Sequence, residues 1–330
     1  MKFFVGVDGG GSGTRAIVVD ESLQIVGRGG AGASNHYVAG AEIAAQNCLI
    51  AADAALTDAK RILPELSRDD MAAWGFGLAG VRRMRDAAKM EDALRSITRG
   101  KPFYLDTDVA AAHAGAFAGG PGVVLSAGTG AIAYGADEHG DRFYSDGWGP
   151  LLGDEGSGYW IGLQALRAIC RAEDGRGPRT RLAPPIFHAL NITGIEQLVP
   201  LIHAPETTRE VLAGLSGFVF AAAESGDAVA LDIRQRAIQH LGNTAAASAR
   251  AMLQRRRERA GVFVPEPLEL LITLRGGLFE DDTFRASVGF QAGERMVEMK
   301  REFLPLSNWR VVRPQHDAAF GAALLAQKIV

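Results

Sequence analysis

Phe3-Phe4-Val5-Gly6-Val7-Asp8-Gly9-Gly10-Gly11-Ser12-Gly13-Thr14-Arg15-Ala16-Ile17-Val18-Val19 is the stretch from which the rest of the chain is read. Phe3 to Val7 is apolar enough for a short strand, and Thr14 to Val19 makes a second. They are joined through Asp8 and a glycine-rich run, which predicts an antiparallel hairpin with a wide turn. Without a Gly-Lys-Ser/Thr triplet the turn is not a Walker A loop. It is also a poor dinucleotide-binding fingerprint, because a strand follows the glycines where a helix is required. Gln24 to Arg28 reads as a third strand.

The device recurs once in the other half of the chain. Val123 to Ser126 is a strand, Gly128-Thr129-Gly130 a turn, and Ala131 to Gly135 the returning strand. No short repeat of solenoid type is present. Gly119-Gly120-Pro121-Gly122 marks the strongest candidate domain boundary between the two. The other expected elements alternate strand and helix. Residues 40–61 form a helix with Ile43, Leu49, Ile50 and Leu56 as its larger apolar groups. Ala73 to Ala79 is a strand, followed by a charged helix to about Thr98. Phe103 to Leu105 begins a strand that runs into Asp106-Thr107-Asp108, and residues 109–118 form an Ala-rich helix. After the boundary come a helix over 157–173, a loop over 174–185 and mostly helix over 186–260. Leu268 to Leu274 is a strand ending in Arg275-Gly276-Gly277, Val311 and Val312 close a last strand, and 317–328 is a terminal helix.

Composition narrows the function classes. Of 330 residues, 41 are Gly, 47% are hydrophobic and 22% charged, with a net charge of -3. Collagen and disorder are excluded, and the length suits about two domains. There is no basic field to recruit nucleic acid or an anionic membrane, and Arg255-Arg256-Arg257-Glu258-Arg259 reads as a solvated helix end. Cys48 and Cys170 are too few for a disulfide framework and suit a reducing compartment. With no signal-type apolar segment after Met1, the expectation is a cytoplasmic protein. Residues 109–136 lack Asp, Glu, Lys and Arg, but Pro121, seven glycines and His113 make them a buried soluble segment rather than a membrane span. The glycines cluster, ten in residues 1–40 and fourteen in residues 115–162, which suggests two glycine-lined loops facing a ligand.

Phosphates need several convergent N–H donors free of side-chain bulk, and a glycine-rich turn between strands supplies both. Residues 9–14 qualify, with Ser12 and Thr14 adding hydroxyls, and residues 128–130 repeat the chemistry with Thr129. Asp8, beside the first turn, can hold Mg²⁺ through waters or simply open the turn. Asp108 sits at the C-terminal end of a strand, where open α/β sheets place ligands. It also begins a helix, so a capping role competes, and Asp106 points to the same side by alternation. His113 reads as a core or boundary histidine and His36 as a solvated loop residue. Gly147-Trp148-Gly149-Pro150-Leu151-Leu152-Gly153-Asp154-Glu155-Gly156-Ser157-Gly158 combines an aromatic, two carboxylates and close-approach glycines, a set that suits a sugar. A plain loop before the helix explains Asp154 or Ser157 but not the whole string.

Taken in order, four motifs resemble the BadF/BadG/BcrA/BcrD-type ATPases, within them the N-acetylglucosamine and glucosamine kinases of the actin/hexokinase/Hsp70 superfamily. They are Val7-Asp8-Gly9-Gly10-Gly11-Ser12-x-x-Arg15, Thr107-Asp108-x-x-Ala111, Ser126-x-Gly128-Thr129-Gly130 and Gly147-Trp148-Gly149-x-x-x-Gly153-Asp154-Glu155-Gly156-Ser157. The resemblance covers essentially the whole chain, and the last motif is its most specific part. It implies an α/β fold of two ribonuclease-H-like domains with a nucleotide and sugar cleft between them. Domain 1–119 would be completed by the C-terminal helix 315–330, and 120–314 would form the second. The resemblance further implies ATP and Mg²⁺ as cofactors. Asp8 would organise the metal, and Gly10, Gly11 and Ser12 would form the first phosphate loop, Ser12 standing where the family usually has Thr. Gly128, Thr129 and Gly130 match the second phosphate loop, and Gly226 and Gly276-Gly277 match further nucleotide contacts. Asp108 matches the general base that takes the proton of the sugar 6-hydroxyl, and Asn35, Trp148, Gly149 and Asp154 match the sugar pocket. A homodimer is usual there.

The implied activity is phosphorylation of N-acetylglucosamine at its 6-hydroxyl. Glucosamine or N-acetylmuramate kinase, a redox-activator ATPase and a sugar-sensing regulator are the alternatives. Two departures bear on these. Ala131 stands where many members have Ser. Cys48 and Cys170 fall in helices rather than in the loop that holds an iron–sulfur cluster in the activators. The regulators carry an N-terminal DNA-binding module, for which a first strand at residue 3 leaves no room.

Overall fold

The computed structural model describes residues 2–204, 206–261, 268–302 and 306–330. The opening hairpin is present: β1 (Phe3–Gly9) pairs antiparallel with β2 (Thr14–Asp20), in register from Phe3↔Asp20 to Gly9↔Thr14. β2 pairs antiparallel with β3 (Ile25–Ala31), β1 runs parallel to β4 (Met71–Leu78), and β4 parallel to β5 (Phe103–Thr107). The sheet order is β3-β2-β1-β4-β5. The second sheet contains β6 (Gly122–Ala127), β7 (Ala131–Ala136), β8 (Arg142–Asp146), β9 (Leu268–Arg275) and β10 (Leu306–Val312), in the order β10-β9-β6-β7-β8. Counted from its own first strand, this is again third-second-first-fourth-fifth, so the two halves repeat one strand order.

The helices are α1 (His36–Ala39), α2 (Ala41–Ala59), α3 (Met84–Thr98), α4 (Asp108–Phe117), α5 (Gly158–Glu173), α6 (Ala183–Ala189), α7 (Leu198–Ile202), α8 (Arg209–Gly214), α9 (Ser216–Glu224), α10 (Ala228–Ala260), α11 (Asp282–Glu302) and α12 (Ala318–Gln327). Contacts divide the chain into two compact units. Unit 1 is Met1–Val124, Ala136–Gly140 and Arg313–Val330, and unit 2 is Leu125–Gly135 and Asp141–Val312. Among the described residues, no helix is long and apolar enough to cross a membrane.

In unit 1 the central strand is buried on both faces, so its two alternating sets of side chains enter two different cores. Phe3, Val5 and Val7 pack with Ala16, Val18 and the inner faces of α2 and α3. Phe4 packs with Ile17, Val19, Ala73 and the face of α12. Helix α2 forms where expected, with Leu49 and Leu56 partly buried against the core of Phe3, Val5 and Val7. Its buried face is Ala44, Ala45, Cys48, Ala51, Ala52, Ala55 and Ala59, while Ile43 and Ile50 are 59% and 46% exposed. The reason lies on the facing strand. A Cβ at Gly27 or Gly29 would overlap the carbonyl oxygen of Ala55 or Ala51, so the helix backbone rests directly on β3 and only alanine-sized side chains fit between. α12 rests the same way on Gly6 and Gly75, whose added Cβ atoms would overlap the carbonyl oxygens of Ala319 and Ala322. Asp317 caps α12 by accepting from Phe320 N at 2.9 Å, and His316 N donates to Gly115 O at 3.1 Å, tying the chain end to α4.

Strand β8 has no counterpart in the sequence reading. Arg-Phe-Tyr-Ser-Asp lies at a sheet edge, has no fully buried residue, and so lacks an apolar signal. Tertiary contacts hold it. Ser248 Oγ on α10 donates to Phe143 O at 2.8 Å, and the Tyr144 ring meets Tyr134 edge-on at 4.9 Å. The arginine run on the last turns of α10 is also more engaged than expected, because Arg255 and Arg259 both pair with Asp141, at 3.2 and 2.8 Å.

Gly75→Ala should force α12 off the sheet and cost about 1–3 kcal/mol, the range for overpacking a tight core. Gly217→Ala, in α9 with nothing near the added methyl, should be neutral or stabilising by up to ~1 kcal/mol. Urea unfolding of both variants checks the contrast.

Candidate functional site

In unit 1, three parallel strands end at one sheet edge. The register places Asp8 opposite Gly77 and Gly77 opposite Asp106, and one step on Gly9 opposite Leu78 and Leu78 opposite Thr107. Asp8 and Asp106 therefore share a row two strand spacings apart, about 10 Å. Asp108 follows one residue beyond that edge as the first residue of α4. The cap of α4 is Thr107, whose Oγ1 accepts from Ala110 N at 3.2 Å. Capping therefore does not consume the carboxylate of Asp108, which is half-buried.

Asp106 is built differently. It is buried, its Oδ1 accepts from Thr107 N at 2.8 Å, and its Oδ2 accepts from Tyr104 Oη at 2.8 Å. Both oxygens brace the end of β5.

The first glycine turn closes with Gly10 N donating to Gly13 O at 3.0 Å, and Ser12 is exposed at its tip. Gly10 O accepts from Ser34 N and Asn35 N, at 3.0 and 3.1 Å, so the turn carries the Asn35 segment on its back. Thr14 Oγ1 bonds Gly32 O and Ser34 Oγ, at 2.6 and 2.8 Å. Thr14 thus fastens the turn from beneath rather than offering a hydroxyl to a ligand. Asn35 caps α1, its Oδ1 accepting from Tyr37 N at 3.0 Å. With the oxygen committed, the amide nitrogen is the group Asn35 can present as a donor.

His36 is not the solvated residue expected. Its ring is buried, with Nε2 3.4 Å from Asp86 Oδ1, and Asp86 also accepts from Tyr37 Oη at 2.5 Å. That hydrogen bond holds the Asp86 carboxyl below its ordinary range against the opposing effect of desolvation. His113 is a core residue, with Nε2 3.1 Å from Gly122 O, and burial pushes it down to about 4. Burial pushes the Cys48 thiol up to about 12, so it stays protonated.

Unit 2 holds the second turn. Gly128 N donates to Gly130 O at 2.9 Å, while Gly128 O and Thr129 O accept from Gly158 N and Tyr159 N, at 2.8 and 3.3 Å. The first N–H groups of α5 thus anchor two of the turn's carbonyls. Gly276, at φ 106, lies against Ala127 at the end of β6, and a Cβ on Gly128 would stand 4.0 Å from Gly277 N. Gly128, Gly276 and Gly277 are therefore brought together. Gly226 lies in the α9–α10 turn at φ 79, where a Cβ would meet nothing within 4 Å.

Trp148 is 57% exposed and Gly149, at φ 86, opens onto space. Asp154 is buried. Its Oδ1 accepts from Ala131 N at 3.1 Å and its Oδ2 from Arg209 Nη2 at 2.6 Å, so it holds the residue that follows the turn. Asp146 Oδ1 accepts from Asp154 N at 2.9 Å. Glu155 is exposed, with an oxygen 3.3 Å from His240 Nδ1.

Among the described residues, no group of three or more His, Cys, Asp or Glu side chains could hold a metal ion alone. A lone carboxylate such as Asp8 fits Mg²⁺, which keeps waters and takes phosphate oxygens as ligands rather than an all-protein cage.

The sequence profile of the BadF/BadG/BcrA/BcrD ATPase family matches residues 5–326. The chain belongs to this family. It is 27% identical to an N-acetylmuramic acid/N-acetylglucosamine kinase of Clostridium acetobutylicum, over 99% of each chain. It is 30% identical to an N-acetyl-D-glucosamine kinase of Dictyostelium discoideum, over 69% of this chain and 73% of that one. Its fold superposes on a Chromobacterium violaceum structure provisionally assigned as an N-acetylglucosamine kinase, with a TM-score of 0.73, 27% identity and 98% and 99% coverage. A ROK hexokinase of Thermus thermophilus shares the fold, at a TM-score of 0.52 and 20% identity. The two five-stranded sheets are those of the two-domain actin-like ATPases.

Sequence reasoning did not single out Ser34 and Asp86 in unit 1, or Asp146 and Arg209 in unit 2, as partners of the motif residues. The first three lie next to motif residues in the chain or the fold, but a lone arginine in a helical stretch carries no signal.

Asp106→Asn should remove the charge from both hydrogen bonds and reverse the one to Tyr104 Oη, and so lower unfolding stability by about 1–3 kcal/mol. Tyr104→Phe should cost less, about 0.5–1.5 kcal/mol. Parallel urea titrations measure both.

Proposed function

We propose that the protein is an ATP-dependent amino-sugar kinase that phosphorylates the 6-hydroxyl of N-acetylglucosamine. The observation that carries this reading is the division of labour between two neighbouring carboxylates. Asp106 spends both oxygens on Tyr104 and Thr107, while Asp108 stands at the same strand end with its capping role taken by Thr107. Phosphoryl transfer asks a protein mainly for alignment and charge stabilisation. In this reading Asp108 orients the acceptor hydroxyl and takes its proton. Gly10, Gly11 and Ser12, and Gly128, Thr129 and Gly130, present N–H and hydroxyl donors to phosphate oxygens. Gly276 and Gly277 let the nucleotide approach the backbone closely, and Gly226 is assigned to the same ligand. Asp8 would hold Mg²⁺ through water, and the ion would neutralise charge on the phosphates.

Asn35 offers its amide N–H₂ to a sugar oxygen, Trp148 its ring face to sugar C–H groups, and Gly149 room beside it. Asp154 is assigned to the sugar pocket as well, by its place in the Gly153-Asp154-Glu155-Gly156-Ser157 motif of the family. The family's redox-activator function is disfavoured by Cys48, which is enclosed in the α2 core as a protonated thiol. The Clostridium relative's name covers two acceptors, and it aligns over the whole chain, which favours N-acetylmuramate as a second substrate. We place the protein in the cytoplasm as a homodimer.

Asp108→Asn should lower kcat by about 10²–10⁴-fold, the contribution of a positioned base, with sugar KM and urea stability near wild type. Coupled ADP release is the assay, run on N-acetylglucosamine, glucosamine, N-acetylmuramate and glucose. Activity on none of the four would overturn the kinase reading, and a near-wild-type rate for Asp108→Asn would overturn the base assignment.

A further inference from the structure

We infer that Arg209 is a positioning residue for nucleotide binding: it holds Asp154, and Asp154 holds the Gly128-Thr129-Gly130 turn in the shape that receives phosphate. The inference rests on the assignment of that turn to nucleotide under Proposed function.

The geometry is a relay of short contacts within unit 2. A Cβ on Gly130 would stand 2.9 Å from Asp154 Oδ1, so the carboxylate lies directly against the turn. The same oxygen takes Ala131 N–H, the first donor after the turn. Asp154 itself sits at φ 58, a left-handed conformation that disfavours side chains, and Asp146 stabilises it by accepting its N–H. Arg209, the first residue of α8, closes the arrangement from a segment 55 residues further along the chain. Its Nη2 meets Asp154 Oδ2 at 2.6 Å, and its Cζ lies 5.7 Å from the ring centre of Tyr159, whose N–H holds Thr129 O from the other side. One guanidinium thus touches both residues that clamp the turn.

The electrostatics make the relay depend on Arg209. Burial pushes the Asp154 carboxyl above its ordinary range, and the nearby Asp146 carboxylate adds to this. Ala131 N–H and Arg209 oppose both. The charged groups acting on Asp154 are therefore Arg209 from α8 and Asp146 from the end of β8, while the titratable neighbours Glu155 and His240 of α10 face each other at 3.3 Å. Removing Arg209 removes the positive charge and leaves burial and Asp146 to raise Asp154 further. A carboxylate accepts Ala131 N–H more strongly than a neutral carboxyl does, so nucleotide binding weakens as pH falls, and the weakening begins at a higher pH than in the wild type.

The experiment is calorimetric binding of a non-hydrolysable ATP analogue, with Mg²⁺ and without sugar, from pH 6 to 8.5. It uses wild type, Arg209→Met, Arg209→Gln and Arg209→Lys, with circular dichroism melting of each. At pH 6 the Met and Gln variants should bind about tenfold more weakly than wild type, the scale of losing one charge-assisted hydrogen bond. At pH 8.5 the gap should narrow to about threefold or less, on the same scale. Arg209→Lys should keep the acid limb near that of wild type. Met and Gln profiles parallel to wild type, or a Lys profile displaced as far as theirs, would overturn the inference while leaving the kinase reading intact. Wild type that neither binds the analogue nor turns over any acceptor overturns the kinase reading and this inference with it.

Discussion

The contact between glycine on a strand and the bare backbone of a helix governs unit 1. Gly27 and Gly29 receive α2, and Gly6 and Gly75 receive α12, each so closely that a methyl group would overlap a helix carbonyl. Gly321 and Ala111 bring α12 against α4 in the same manner. Such contacts bury little side-chain area per residue, but they bring many atoms into dispersion range at once. They also leave almost no freedom to slide, because a carbonyl oxygen seated over a glycine has a steric wall on either side. Alanine-rich helices are the necessary partners, since a larger side chain on that face would lift the helix away.

That rigidity reaches the functional edge. β1, β4 and β5 end level with one another only if their register holds, and the register brings Asp8, Asp106 and Asp108 to one rim. Chemistry then divides by local bonding. The carboxylates with both oxygens engaged, Asp106 and Asp154, are buried and serve as braces for the backbone. The half-buried Asp108 heads its helix without capping it. Tyr104 and Thr107 are what separate the two roles at the rim, because they supply the donors that make Asp106 structural.

The glycine excess has a broader cause than the clustering in the sequence suggests. Some glycines do form the two turns, and Gly276-Gly277 joins the second. Others in the same clusters, Gly6, Gly27, Gly29 and Gly115 among them, face helix or chain-end backbone instead of a ligand. Both uses demand the absence of a Cβ, so composition and spacing alone do not tell them apart. The small-residue face of α2 has the same root. Ile43 and Ile50 are exposed although they are among the helix's larger apolar groups, because the face of α2 turned to β3 admits only small side chains.

Sequence alone determined most of the strands and helices, though not α11, together with the two strand–turn–strand units and the motif residues, because each rests on local periodicity or on chemistry carried by adjacent residues. Edge strand β8 was invisible to it, since its stability comes from Ser248 and Tyr134 rather than from its own pattern. So were the buried His36–Asp86 pair and the Arg209–Asp154 pair, whose partners lie 50 and 55 residues apart. The bonding of Asp106 also belonged to tertiary structure. Two acidic residues two positions apart on one strand end look alike in sequence, and only the tertiary structure shows that Asp106 accepts from Tyr104 and Thr107 while Thr107 caps the helix that Asp108 begins.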